Sequence, residues 1–278
     1  MSALADKLRG LRRQAGTAAA SPSRQAVAPE PSSALAQLHR LRRPSRPGAS
    51  VLDREVAGRQ IAPGLYLHEK HYDWPEHQPW LDAGFARLEP IETARLLYFD
   101  TETTGLAGGT GTRAFMIGAG DWCEGRLRLR QLLITTLGAE RAMLAEFACW
   151  FDAHTALVSY NGKCYDAPLL ATRYRLARMD NPLAGRTHVD LLHPVRRHWR
   201  KVWPNCRLAT AEQRLLNVVR EDDLPGSEAP AAWLGYLRGG SAHNLRRVGE
   251  HNAQDIVSLA GIAGYMSALP AQPEAAMP

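Results

Sequence analysis

The 278-residue sequence predicts an α/β fold, a mixed sheet flanked by helices. Three patterns predict it. Leu96-Leu97-Tyr98-Phe99 is apolar at consecutive positions, which suits a central strand covered on both faces. Leu127-Arg128-Leu129-Arg130 alternates after the turn signal Glu124-Gly125, which suits a strand with one buried face. Ala139 to Phe151 carries Met143, Leu144, Phe147 and Trp150 at helical spacing.

In chain order, the first strand ends at Phe99 and the second spans Phe115 to Ala119. The third is the alternating Leu127–Arg130 segment, and the helix over Ala139–Phe151 follows it. Ala156-Leu157-Val158-Ser159-Tyr160 reads as a fourth strand. A helix from about Asp166 to Met179 and a final one from about Leu245 to Met266 complete the outline. Three strands, a helix, a strand and further helices imply a mixed sheet with helical layers.

Around this core we expect four segments: a disordered basic arm over residues 1–48, a lead-in packing on the domain over 49–93, the domain itself over 94–266, and a tail over 267–278. The arm is rich in Ala, Ser, Pro and Arg; one short helix fits at Leu4–Arg13 before prolines 22, 29, 31, 44 and 47 interrupt it. It holds nine Lys and Arg against two acids, a net +7, while the whole chain is +6, so the residues after 48 sum to −1. The basic character therefore belongs to the arm, which reads either as a phosphate-attracting segment or as a solvated leader.

Composition excludes several classes. Hydrophobic residues make up 45% and charged residues 22%, as in an ordinary globular protein. No run of about 18 apolar residues supports a membrane span, and no membrane partner is expected. Cys123, Cys149, Cys164 and Cys206 form no C-x-x-C pair and read as reduced thiols of a cytoplasmic protein. His188, His193 and His198, spaced by five, would spread around a helix and do not make a zinc site. Gly105 to Thr112 is glycine-rich but lacks the Gly-Lys-Ser/Thr of a phosphate-binding loop.

Acidic residues from three segments carry the candidate chemistry. Asp100 and Glu102 are two apart at a strand end, so both carboxylates leave the same face. Two such acids repel unless a cation lies between them, and Mg2+ or Mn2+ suits oxygen ligands. Asp166 follows the fourth strand just before Pro168. His251 and Asp255, four apart, share one face of the last helix. Each has a plainer reading alone: a solvated strand end, a helix N-cap followed by a first-turn proline, and a solvated helix face. Together they supply what a two-metal nuclease needs, carboxylates from separate segments around two cations. Arg196, Arg197, Arg200 and Lys201 beside Trp199 and Trp203 read either as a nucleic-acid track or as a solvated helix face.

Phe99-Asp100-Thr101-Glu102-Thr103-Thr104-Gly105-Leu106 resembles the first motif of the DEDD superfamily of 3′–5′ exonucleases, which have the RNase H-like fold. Gly108 to Thr112, Tyr160-Asn161-Gly162-Lys163, Asp190-Leu191-Leu192-His193 and His251-Asn252-x-x-Asp255 resemble its YprB-like branch. So do Cys206-Arg207-Leu208, Glu212 and Asp223-Leu224-Pro225-Gly226. The resemblance implies two Mg2+ or Mn2+ ions held by Asp100, Glu102, Asp166 and Asp255. Asp100 would bridge both ions, Glu102 and Asp255 would complete the first, and Asp166 would serve the second. It implies His251 as general base, and Thr101, Thr103, Thr104, Gly105, Leu106, Tyr160, Asn161 and Lys163 as residues near the terminal nucleotide. The expected partner is nucleic acid, DNA or RNA, entering by a single-stranded 3′ end; an internal cutter of the same fold and a non-catalytic binding module are the alternatives. One departure stands out. The two major subclasses place a tyrosine three intervening residues before the last Asp, or a histidine four before, whereas His251 is a histidine at the tyrosine spacing.

Overall fold

The computed structural model describes residues 52–74, 77–105 and 111–269. These described residues form one compact unit. The expected arm with its Leu4–Arg13 helix, the tail beyond Leu269, and Leu106 lie outside the described residues.

Strands β1 (Arg59–Ala62), β2 (Leu65–Tyr72), β5 (Leu96–Thr103), β6 (Ala114–Cys123), β7 (Arg126–Ile134), β8 (Ala156–Ser159) and β9 (His188–Asp190) form one sheet in the order β1-β2-β7-β6-β5-β8-β9. The pairs from β1 to β5 are antiparallel, and β5–β8 and β8–β9 are parallel, so the sheet is mixed, as predicted. Short strands β3 (Trp80–Leu81) and β4 (Ile91–Glu92) pair separately. The helices are α1 (Glu140–Ala148), α2 (Asp166–Leu176), α3 (Leu192–Trp199), the single turn α4 (Leu208–Ala211), α5 (Ala229–Leu237) and α6 (His243–Ser267).

Central strand β5 is apolar at every position up to Phe99 because it is covered twice. Leu97 and Phe99 join a cluster with Phe115, Ile117, Phe147, Tyr174 and Trp233. Leu96 and Tyr98 join another with Leu129, Val158, Val189, Ile256 and Leu259. Asp100 and Glu102 continue the even-numbered positions, on the side that α6 covers. Two glycines of β6 let α6 lie that close. A Cβ at Gly118 would sit 2.0 Å from Asn252 Oδ1, and one at Gly120 would sit 2.7 Å from Ile256 Cγ2.

Three expectations need correction. The segment read as a lead-in supplies β1 and β2 to the sheet; its mixed pattern arises because β2 is only half-buried at most positions. His188 lies on strand β9, not on a helix with His193 and His198. Its Nε2 meets Ser159 Oγ at 2.7 Å, and burial lowers its pKa to about 4, so it is a neutral packing residue. Asp166 is the first residue of α2, and the cap position before it falls to Tyr165, which makes no side-chain capping bond. Among the described residues no helix is long and apolar enough to cross a membrane.

Candidate active site

The apolar face of β5 gives way at Asp100, and the neighbouring elements determine how its carboxylate is held. Asp100 pairs in register with Gly118, and Gly118 with Gln131. With no side chain at Gly118, the fully buried Asn252 of α6 reaches over the sheet. Its amide donates to Asp100 Oδ2 at 3.0 Å, and its oxygen accepts from Gln131 Nε2 at 2.9 Å. Gln131 Nε2 also donates to the Gly249 carbonyl at 2.7 Å. Asp100 is thereby tied to both the sheet and α6.

Glu102 is treated differently. It is only 7% exposed, and its carboxylate makes no hydrogen bond among the described residues, its oxygens keeping contact with solvent. Burial, then repulsion from Asp255, Asp166 and Asp223, pushes it up to about 8, with Arg220 opposing. Asp100 is also raised, chiefly by burial and then by Asp166, Asp255 and Glu102, with Asn252 opposing.

Asp166 arrives from the β8–α2 connection. That loop is organised by Asp190 at the end of β9, whose carboxylate accepts the backbone N–H groups of Asn161 (2.7 Å), Lys163 (3.1 Å) and Leu192 (3.1 Å). Asn161 takes a left-handed φ of 67°, a conformation asparagine tolerates better than most residues. The Thr101 hydroxyl donates to Asp166 Oδ1. Burial raises Asp166 to about 6, with the Thr101 bond opposing.

Asp255, 9% exposed, comes from α6. Burial raises its pKa, and His251 and Arg220 pull it back down. Arg220 is the hub of this side. Its Nε and Nη2 make a two-point contact with Glu212 at 2.8 and 2.5 Å, its Nη1 donates to Asp223 Oδ2 at 3.2 Å, and its Nη2 donates to Asp255 Oδ1. Glu212 is fully buried. His251 Nδ1 lies 2.8 Å from both Asp223 oxygens, and Nε2 lies 3.6 Å from Asp255 Oδ2. A carboxylate at Nδ1 fixes the tautomer with its proton there and leaves Nε2 free to accept one. Arg220 Nη1, 3.1 Å from the same Nδ1, then makes a contact and not a second hydrogen bond.

The structure thus brings Asp100, Glu102, Asp166, Asp255 and His251 to one place at the end of β5. The residues expected near a nucleotide are mostly occupied within the fold. The Thr103 hydroxyl donates to the Gly105 carbonyl at 2.9 Å, and the Thr104 hydroxyl accepts the Arg113 N–H at 3.0 Å. The Tyr160 hydroxyl donates to the Cys206 carbonyl at 2.7 Å. Lys163 is exposed. Spacing alone did not single out Asn252, Gln131 and Arg220. Asn252, Glu212, Asp190 and Asp223 were visible only as members of the motifs quoted above.

Among the described residues, no group of three or more His, Cys, Asp or Glu closes into a ready-made metal site. Asn252, Thr101 and Arg220 each hold an oxygen of one of the acids. The donor set still fits a hard divalent ion: Glu102 and Asp255 are buried and Asp100 and Asp166 half-buried, neighbouring carboxylates raise Asp100 and Glu102, and Glu102 has no hydrogen-bond partner among the described residues.

A family model described as the RNase_H superfamily matches residues 97–267. The uncharacterized protein YprB of Bacillus subtilis (strain 168) is 38% identical over 173 residues, covering 62% of this chain and 42% of that protein. The chain therefore spans less than half the length of that relative. Among solved structures, the family B DNA polymerase of the hyperthermophilic archaeon Pyrobaculum calidifontis is similar over 73% of this chain and 29% of its own, at 17% identity and a TM-score of 0.49. A product-bound exonuclease I is similar over 56% of this chain and 45% of its own, at 17% identity and a TM-score of 0.38.

Proposed function

The chain belongs to the RNase_H superfamily, and from that premise we propose that it is a metal-dependent hydrolase, a 3′–5′ exonuclease of the DEDD type acting on single-stranded nucleic acid. The observation that carries this reading is Glu102, buried without a hydrogen-bond partner beside three other carboxylates. Such a carboxyl holds a proton until a cation takes the proton's place.

Asp100, Glu102, Asp166 and Asp255 would hold two Mg2+ or Mn2+ ions. When bound, the ions would stabilise charge on the phosphodiester and acidify the attacking water. The chain's own groups do the rest. His251 accepts the water's proton at Nε2, and Asp223 keeps the imidazole in the tautomer that can do so. Asn252 fixes Asp100, and Arg220 fixes Asp255 by one oxygen so that the other stays available. Lys163 meets a phosphate of the strand. Four unpaired cysteines accord with a reducing cytoplasm.

The test uses end-labelled single-stranded DNA and RNA incubated with the protein and Mn2+. Mononucleotides released stepwise from the 3′ end are expected, with circular strands left intact. Cleavage of circles would make the protein an internal cutter of the same fold, and no cleavage of any strand would refute the nuclease reading.

A further inference from the structure

The segment that links β9 to the Glu212–Arg220 hub has a composition unlike the rest of the fold. Residues 191–211 contain no Asp or Glu, but they hold Arg196, Arg197, Arg200, Lys201 and Arg207, in a chain whose residues after 48 sum to −1. Helix α3 turns Leu192, Pro194 and Val195 inward and leaves Arg196 and Arg197 exposed, and Arg200, Lys201 and Arg207 follow, also exposed. Arg197 donates to the Phe85 carbonyl at 2.8 Å. None of the five pairs with a carboxylate among the described residues, whereas Arg128, Arg130, Arg173 and Arg220 all do. Among these bases, Trp199 and Trp203 stack with ring centres 4.7 Å apart and planes 3° from parallel, both half-buried, and Val202 between them is 75% exposed.

Both ends of this segment are fastened to the candidate active site. At its start, Asp190 holds the loop that leads to Asp166. Towards its end, the Cys206 carbonyl takes the Tyr160 hydroxyl, and Glu212 grips the arginine that holds Asp255. A polyanionic strand approaching four converging carboxylates meets repulsion, which a neighbouring positive surface offsets.

Building on the nuclease reading, we propose that the surface formed by α3 and the turn through Arg207 is the track on which single-stranded nucleic acid lies as its end enters the site. Arg196, Arg200, Lys201 and Arg207 contact phosphates, and the indole stack with Val202 offers an apolar edge to the bases, a combination that suits single strands without sequence preference.

The test measures binding of the full chain to fluorescent dT20 and rU20 by anisotropy in EDTA, over a range of salt. The variants are Arg196→Glu/Arg200→Glu/Lys201→Glu and, as a milder companion, Arg196→Gln/Arg200→Gln/Lys201→Gln. Both should weaken binding, the first at least tenfold, and should flatten the dependence of log K on log salt by about 2, since each lost single-strand phosphate contact removes about 0.7. Melting temperature and Mn2+ affinity should match the unmodified protein. A loss on both oligonucleotides assigns the track to the shared backbone, and a loss on only one shows that the sugar is read there as well. Should the glutamate variant misfold, the glutamine variant decides alone. Unchanged affinity and salt slope would overturn the proposal. Failure of the unmodified protein to bind Mn2+ would instead count against the nuclease reading and leave the track standing.

Discussion

Glu212 and Glu102 are both buried, but their surroundings differ. Glu212 faces the Arg220 guanidinium through two hydrogen bonds, and Asp190 likewise accepts three backbone N–H groups. Glu140, further off, is held by Arg113 and Arg173. At the end of β5, by contrast, Glu102 has no hydrogen bond among the described residues, and Asp166 and Asp255 repel both it and Asp100. Elsewhere the chain supplies a partner for each acid it buries; here it leaves carboxyls that hold on to their protons unless a cation replaces them. That contrast separates the acids that build the fold from those that await a ligand.

The largest expected effect tests the chemical side of this contrast. His251→Ala should lower the rate by about 10²–10⁴, the usual contribution of a positioned base, with Mn2+ affinity retained. Asp223→Asn should lose less, because the imidazole remains but its tautomer is no longer fixed. Single-turnover rates on a labelled strand measure both; a His251→Ala rate equal to wild type would remove the base from the account.

Next comes the structural side. Arg220→Gln leaves the fully buried Glu212 without its cation, which should cost about 3–5 kcal/mol in denaturant unfolding. Replacing both members, Glu212→Gln with Arg220→Gln, should recover much of that stability and still leave Asp255 unfixed. If the single variant unfolds like wild type, Arg220 is no hub. Gly118→Ala should have the smallest effect, about 1–3 kcal/mol, because its methyl would press on Asn252 and force it from Asp100. Activity should fall along with it, and a fully active, fully stable Gly118→Ala would show that Asn252 does not position Asp100.

Much of the fold could be read from local pattern. Strand β5 was legible because its residues are apolar on both faces up to Asp100, and the last helix because Ile256 and Leu259 recur beside Asp255. Strand β9 is three residues long and begins with a histidine, so it offered no periodicity to read. Strands β1 and β2 lie at one side of the sheet with half-exposed faces, and their alternation is correspondingly weak. The Asp-x-Glu pair, Asp166 and the His251–Asp255 spacing were visible as chemistry. Arg220 was not, because within Val218 to Asp223 it looks like part of a charged surface run. Its partners Glu212, Asp223 and Asp255 meet only in three dimensions. The same holds for the Asp100–Asn252–Gln131 chain, which depends on strand register and on a missing side chain at Gly118.

The melting temperature of the EDTA-treated protein as a function of pH, with and without added Mn2+, tests the central contrast most directly. Glu102 ordinarily titrates at 4.5 and is raised to about 8 in the fold. The folded state therefore holds that proton more tightly than the unfolded chain does. The stability linked to it is full below pH 4.5 and is lost as the pH rises through about 8. The metal-free protein should melt lower as pH increases across this window, and Mn2+ should restore the lost stability near neutral pH. Glu102→Gln should flatten the pH dependence, and Asp100→Asn should fold but respond weakly to Mn2+. A wild-type protein whose melting is indifferent to Mn2+ at every pH, or an Asp100→Asn variant that responds as strongly as wild type, would contradict the assignment of the β5 carboxylates as the cation site.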